Sequence, residues 1–183
     1  MSLRSRAREV VLQILYQDDL NQDRNNDADL AFIKNRLHNN GNIIEFAEAL
    51  LNGVRAKSDQ IDAELGAVTK NWKVNRMAAT DRNVLRLGAF EILFYDTPAR
   101  VACNEAIELA KRYGDELSPN FINGILDRLI QKTEPGQAES STGTDEESVP
   151  PQELPVENNQ PDPVTPEQDP NCETAGESDT IHN

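Results

Sequence analysis

Lysine, arginine, phenylalanine, tyrosine and tryptophan are absent from the last 51 positions of the chain, residues 133–183. This segment holds thirteen Asp or Glu residues and eight of the ten prolines. A chain with so little apolar surface cannot offset the entropy lost on ordering, so its composition predicts a disordered acidic tail. Residues 1–132 have the usual length of one compact domain, and we place the boundary near Lys132.

Because so many acidic residues lie in the tail, the net charge of the whole chain does not describe the domain. The chain carries a net charge of −14, but residues 1–132 hold all 18 basic residues and 19 of the 32 acidic ones. The domain is therefore nearly neutral and has room for a local basic face. The acidity of the whole chain does not exclude a nucleic-acid partner.

Residues typical of catalytic and metal sites are also scarce. The two cysteines are Cys103, in a helical pattern, and Cys172, in the tail, and the two histidines are His38 and His182. No Cys/His pair has zinc spacing, and neither a glycine-rich phosphate loop nor a Gly-x-Ser-x-Gly motif occurs. We expect a protein that is not an enzyme, needs no cofactor and binds no metal.

The same scarcity bears on the compartment. Two cysteines in such different contexts do not form a disulfide framework, which favours a reducing cytoplasm. No apolar run reaches the length of a membrane span, and VVLQILY near the N-terminus is too short for a secretory signal. We expect a cytoplasmic protein with no membrane partner.

Apolar residues in the domain recur at helical spacing, and no alternating pattern predicts a strand. One stripe runs over 7–15, and a shorter one over 30–37 is expected to stop at Gly41. The stripe over 43–70 fits either one long helix or two, with Ser58 as a cap of the second. The sequence predicts an all-α bundle of six to seven helices.

The segment 84–94 is apolar on almost every side, which predicts a helix buried at the centre of the bundle. Thr80 or Asp81 is expected to cap it. Gly88 lies in its middle, where glycine costs about 1 kcal/mol relative to alanine unless a neighbouring backbone needs the space. We expect that a neighbouring backbone does.

Two more helices complete the domain. The first follows Pro98 and is expected to end at Gly114 in left-handed geometry. The last begins with Ser118 as N-cap and Pro119 at the first helical position. Gly124 within it is expected to permit close approach of another helix.

Three arginines, Arg4, Arg6 and Arg8, lie within five residues of one another at the N-terminus. On a helix Arg4 and Arg8 share a face, and Arg6 lies about 160° from both. The positive end of a helix dipole attracts phosphate. Such a cluster either binds nucleic-acid phosphates or only pairs with carboxylates and aids solubility, and charge alone leaves both open.

The helix before Gly114 offers further candidates. Glu105 and Glu108 stand three residues apart, a spacing that suits a carboxylate pair but is more typical of a solvated helix face. Tyr113 either stacks on a base or packs in the core, and the residue alone does not decide between them.

Three stretches of the sequence resemble the NusB family of bacterial transcription antitermination factors. They are SRAREVVLQILYQ, TDRNVLRLGAFEIL and VACNEAIELAKRYGDELSPNFINGILDRL. The resemblance covers residues 3–131, the whole of the predicted domain, and has no counterpart in the tail. It implies about seven helices in two roughly perpendicular three-helix halves.

The resemblance also implies a function without catalysis. NusB proteins bind the boxA element of nascent ribosomal RNA, a single-stranded RNA, as a heterodimer with NusE, a small-subunit ribosomal protein. The complex joins other Nus factors on RNA polymerase, and transcription then resists termination. The implied partners are therefore boxA RNA, NusE and the RNA polymerase antitermination complex, and a homodimer of the free protein stays open.

The resemblance assigns roles to particular residues. It implies that Tyr113 stacks on an unpaired base and that Asn120 lies at the same surface. Tyr16 and Asp81 match positions that contact NusE. The implied RNA phosphate and base contacts come from five basic side chains: Arg4, Arg6, Arg8, Lys111 and Arg112. At Leu117 some relatives carry an acidic residue, and Ser5 interrupts an arginine run, so base recognition and affinity differ from those members.

Other functions fit parts of the sequence. A helical protein–protein adaptor without RNA binding would use the arginines for solubility alone. An RNA-binding module of a ribosomal RNA methyltransferase would need a methyl-donor glycine loop, and no such motif occurs in these residues. The acidic tail either competes with RNA for the arginines or serves as a solubilising appendage.

Overall fold

The computed structural model describes residues 2–21, 24–69 and 74–133. These ranges form seven α-helices and one 3-10 turn, without a strand, which confirms the all-α fold. The helices are α1 (Leu3–Leu20), α2 (Asn26–Arg36), α3 (Gly41–Ala56), α4 (Ser58–Val68), α5 (Ala79–Phe94), α6 (Ala99–Tyr113) and α7 (Ser118–Thr133). Apart from Thr133, the predicted tail lies outside the described residues.

The helices pack in two groups around α5. Helices α1, α2 and α3 contact one another, and so do α5, α6 and α7. Helix α4 packs on α5 and α7, while α5 also contacts α1 and α3 and so joins the groups. Val84, Leu85, Leu87 and Ala89 of α5 are at most 1% exposed, which confirms the prediction of a central buried helix. None of the described helices is both long and apolar enough to cross a membrane.

The segment 43–70 resolves into two helices rather than one. Helix α3 ends at Ala56 and α4 begins at Ser58, with Lys57 between them. The expected cap at Ser58 is wrong, because Ser58 is already the first helical residue and Lys57 makes no side-chain cap bond.

The turn before α3 also differs from the expectation. Gly41 does not stop α2 but begins α3. The chain reverses at His38 and Asn39, whose φ angles are 52° and 54°. Asparagine and histidine adopt this left-handed conformation more readily than most residues, which is why no glycine is required there.

The predicted caps of α5 and α7 are wrong. Ala78 precedes α5 without a side-chain cap bond, and Asp81 lies inside the first turn. Ser118 is the first residue of α7, and its hydroxyl accepts the Asp115 backbone N–H at 2.9 Å. The Asp115 carboxylate instead accepts the backbone N–H groups of Leu117 and Ser118. Short polar side chains near a helix start compete for these donors, and sequence position alone does not select the one that binds them.

The two predicted helix-contact glycines behave differently. A Cβ at Gly88 would lie 2.9 Å from Leu126 of α7 and 3.2 Å from Ala106 of α6, so neighbouring helices do need the space, but through side chains rather than the expected backbone. A Cβ at Gly124 would meet no atom within 4 Å, so the expectation for Gly124 is wrong.

Candidate nucleic-acid interface

The three N-terminal arginines all lie on α1, but they take different surroundings. Arg4 is exposed, and its Cζ lies 5.3 Å from the centroid of the Phe46 ring. The Cζ of Arg8 lies 5.1 Å from the same ring. Arg6 points to the other side of α1, where it bonds to Glu9. This division follows the helical spacing of the three residues.

Arg8 is buried and belongs to an internal ion pair. It is 3% exposed, and its Nε and Nη2 donate to the two carboxylate oxygens of Glu91 at 2.8 and 2.6 Å. Thr97 also donates to Glu91, and Glu105 lies 3.7 Å from Nη1 of Arg8. The structure therefore differs from the expectation that Arg8 contacts RNA, because a guanidinium enclosed by two carboxylates presents no donor at the surface.

Arg6 belongs to a second group that joins α1 to α6. Nη1 of Arg6 donates to one carboxylate oxygen of Glu9 at 2.5 Å. The other oxygen accepts the hydroxyl of Tyr113 and lies 3.6 Å from Nη1 of Arg112. We call Arg6, Glu9, Arg112 and Tyr113 the Glu9 cluster. The cluster brings together three of the predicted RNA-binding side chains: Arg6 from α1, and Arg112 and Tyr113 from α6, about a hundred residues later in the sequence.

The charges of the Glu9 cluster stabilise one another. Burial raises the pKa of Glu9, but the hydrogen bonds from Tyr113 and Arg6 and the charges of Arg6 and Arg112 outweigh it, so the pKa lies below its usual value. Burial and the bond to Glu9 raise the pKa of Tyr113. The carboxyl is therefore ionised and the phenol protonated at neutral pH.

The end of α6 adds exposed positive charge beside this cluster. Lys111 is exposed and pairs with Glu108 at 2.8 Å, and the side chain of Arg112 is 46% exposed. Cations at a helix C-terminus are favoured by the helix dipole. Gly114 then ends the helix in an extended conformation, with φ −88°, rather than in the left-handed one expected.

The carboxylates of α6 have separate partners. Glu105 accepts the Ser5 hydroxyl at 2.8 Å and faces Arg8, whereas Glu108 bonds to Lys111. Tyr113 is partly buried and packs against the core, although its hydroxyl is bound at the surface cluster. The core interpretation therefore describes the Tyr113 ring in part, and stacking of this ring on a base stays a prediction.

The first turns of α7 complete the surface around the α6–α7 connection. Asn120 is exposed there, while Phe121 is partly buried against the core, as the sequence indicated. Leu117, just before α7, is 73% exposed.

Tyr16 and Tyr113 line the same groove. Tyr16 is 40% exposed near the end of α1. The groove has a volume of about 520 Å³. It is lined by α1, α2, α5 and α6 through Leu12, Gln13, Tyr16, Gln17, Leu20, Phe32, Arg36, Thr80 and Tyr113. The contribution of α2 was missed by sequence reasoning, because the pattern around Phe32 indicates only a short amphipathic helix.

Asp81 carries an unusual polar atom. Its Oδ1 is buried and has no hydrogen-bond partner, and no other buried side-chain oxygen or nitrogen of the described residues lacks one. Burial raises the pKa of Asp81; a hydrogen bond with Ser118 opposes this shift, and the charge of Asp115 adds to it. A buried carboxylate oxygen without a hydrogen bond costs stability.

The chain matches known proteins over the whole helical domain. The family model described as "NusB family" matches residues 5–131. The transcription antitermination protein NusB of Anaeromyxobacter dehalogenans is 43% identical over 136 residues, which cover 74% of this chain and 96% of that protein. NusB of Trichlorobacter lovleyi is 45% identical over 130 residues, covering 70% and 91%.

Solved structures agree with the fold. The structure of T. maritima NusB is 35% identical, with a TM-score of 0.64 and coverage of 70% of this chain and 91% of that one. A crystal structure of the antitermination factors NusB and NusE in complex with dsRNA matches with 25% identity and a TM-score of 0.64, covering 72% and 98%.

Proposed function

The chain belongs to the NusB family, and on this premise we propose that it is a transcription antitermination factor that binds boxA RNA together with NusE. The observation that carries this proposal is the Glu9 cluster, where the start of α1 and the end of α6 bring Arg6, Arg112 and Tyr113 to one surface. Two cations and an aromatic ring in one place suit single-stranded RNA, whose bases stack on rings while its phosphates attract cations.

Each RNA-binding side chain has a defined part in this proposal. Arg4, Arg6, Lys111 and Arg112 bind phosphates. A guanidinium carries five N–H donors, so the bond of Arg6 to Glu9 leaves donors for a phosphate. The ring of Tyr113 stacks on an unpaired base. Asn120 supplies amide hydrogen bonds to a base edge from the first turns of α7.

Arg8 acts differently in this proposal. Since it is buried against Glu91, it supports the N-terminal half of α1 rather than touching RNA. It holds α1 against α5, and this contact keeps Arg4 and Arg6 at the surface.

We assign NusE to the groove shared by Tyr16 and Tyr113 and to the neighbouring Asp81. Asp81 as a whole is partly exposed, and its assignment to NusE follows from the family resemblance. The similar structure that holds NusB, NusE and dsRNA supports a joint RNA and protein surface. The resulting complex joins RNA polymerase in the cytoplasm, and the function is binding, with no catalytic step.

The test measures binding of fluorescein-labelled boxA RNA to the full chain, alone and with purified NusE. The Arg4→Ala/Arg6→Ala variant is expected to bind more weakly, and the salt dependence of its binding is expected to shallow by up to about one unit per lost contact. Arg8 is left intact, because its removal would disturb the fold.

Arg100→Ala serves as the matched control. Arg100 is 73% exposed and pairs with Asp127, but it lies at the opposite end of α6 from Tyr113. It is expected to leave RNA binding almost unchanged. If the native chain did not bind this RNA at moderate salt with or without NusE, the adaptor function would replace the proposed one.

A further inference from the structure

We infer that Glu9 is a positioning residue of the RNA surface, which holds Arg6, Arg112 and Tyr113 in place without touching RNA itself. This inference rests on the proposed function and goes beyond it. The residue that organises the surface is a glutamate, whose negative charge repels the phosphates of RNA.

The contacts of Glu9 fit this role. Its side chain is 7% exposed, so it lies beneath the surface that the cations form. One oxygen binds Arg6 from its own helix, while the other faces Arg112 and Tyr113 of α6. A single carboxylate thus connects the side chains of two helices that are far apart in sequence.

The physical benefit is preorganisation. Arginine is among the side chains with the most rotamer freedom, and holding it in one arrangement costs free energy at the moment of binding unless the folded protein has already done so. Glu9 orders the two guanidinium groups and fixes the Tyr113 ring through its hydroxyl before RNA arrives. A planar guanidinium carries five N–H donors in a fixed arrangement that matches a phosphate.

Positioning and simple electrostatics make opposite predictions for Glu9→Gln. If Glu9 acted only as a negative charge near RNA, its removal would strengthen binding. If Glu9 positions the surface, its removal weakens binding despite the gain in net positive charge. A glutamine keeps the size of the side chain and an acceptor for Tyr113, but its amide no longer attracts the two arginines.

The experiment measures boxA RNA binding by the full chain with NusE at low salt. Glu9→Gln is expected to bind about tenfold more weakly, as follows from the loss of ordering in two or three side chains. The control is Glu108→Gln, which removes the same charge from the exposed face of α6 and breaks the pair with Lys111, while the contacts of Glu9 with Arg6, Arg112 and Tyr113 remain. It is expected to bind as well as the native chain or better.

A double-mutant cycle distinguishes positioning from general damage to the fold. In an Arg6→Ala background, Glu9→Gln is expected to cost clearly less RNA affinity than in the native chain, because one of the side chains it holds is already gone. Additive losses would mean that Glu9 does not act through Arg6. Thermal unfolding followed by circular dichroism verifies that the variants are folded.

The results of these binding experiments distinguish failure of this inference from failure of the proposed function. Equal or tighter RNA binding by Glu9→Gln, with normal binding by the native chain, overturns the inference alone. Absence of binding by the native chain overturns both. Should Glu9→Gln fail to fold, Tyr113→Phe keeps the ring and removes its bond to Glu9, and unchanged RNA affinity in that variant would equally count against positioning.

Discussion

Arg4 and Arg8 differ in burial although the guanidinium groups of both lie close to the Phe46 ring. Arg4 is exposed, whereas Arg8 is buried. The buried one is neutralised by Glu91, which is itself 1% exposed. An ion pair with both members removed from water is weak evidence of net stabilisation, but loss of one member leaves the other charge without compensation.

Replacing Arg8 with methionine is therefore expected to lower the free energy of unfolding by about 3–5 kcal/mol, because Glu91 would stay buried without its partner. Urea unfolding followed by circular dichroism measures this change. Arg4→Met is the control, because it removes the contact with the same ring and is expected to cost no more than about 1 kcal/mol. Small and equal losses would show that the pair with Glu91 is not buried in solution.

The position of Arg8 explains why the sequence alone did not identify its role. The three arginines look equivalent in the sequence, and the partner of Arg8 lies 83 residues away. Helical periodicity places Arg8 beside Ala7 and Val11 but does not reveal a buried carboxylate on α5. The same applies to Glu9, whose importance depends on Tyr113, 104 residues later. The spacing of apolar residues predicts local structure only and does not indicate which distant polar residues will be partners.

At the scale of elements, apolar periodicity was the reliable signal. The stripe of α1 and the all-round apolar character of α5 both correspond to helices in the structure. The helix ends were less predictable, since Asp115 takes the donors expected for Ser118 and Gly41 starts a helix that it was expected to stop. Caps depend on a few hydrogen bonds worth about 1 kcal/mol each, and several nearby residues compete for them.

Helix packing also decides which glycines tolerate a methyl group. A Cβ at Gly53 of α3 would overlap the ring of Phe90 on α5, whereas one at Gly124 of α7 would meet open space. Gly53→Ala is expected to destabilise the domain by about 1–3 kcal/mol through overpacking. Gly124→Ala is expected to stabilise it by up to about 1 kcal/mol, since alanine is the better helix former.

Thermal unfolding of the two glycine variants, compared with the native chain, measures both changes. The pair is informative because each variant adds the same methyl group to a helix. Stabilisation by Gly53→Ala would contradict the close contact between α3 and α5 at Gly53, and destabilisation by Gly124→Ala would contradict the open space beside Gly124.

At the scale of the whole molecule, many charges of the described domain are paired between helices. Arg55 binds Asp18 and Asp29, and Arg86 binds Asp62, so many basic side chains are matched by carboxylates on neighbouring helices. In the Glu9 cluster two arginines share one carboxylate, and the exposed pair of Lys111 with Glu108 lies beside it. Residues 133–183, in contrast, carry thirteen carboxylates and no Lys or Arg. The domain boundary at 132 and 133 remains a prediction, as does the acidic tail, which lies outside the described residues apart from Thr133.

The acidic tail is expected to compete with RNA for the cations of the domain, because a tethered polyanion reaches them at a high effective concentration. A chain shortened to residues 1–133, which keeps the whole of α7, should therefore bind boxA RNA more tightly than the full chain at low salt. A full-length variant with its thirteen tail carboxylates changed to amides should match the shortened chain, since charge rather than length is responsible. Near 1 M salt, where the screening length is about 3 Å, the differences should vanish. Equal affinities of the native and shortened chains at low salt would instead identify the tail as a solubilising appendage, because competition between two polyanions for one surface is strongest when screening is weakest.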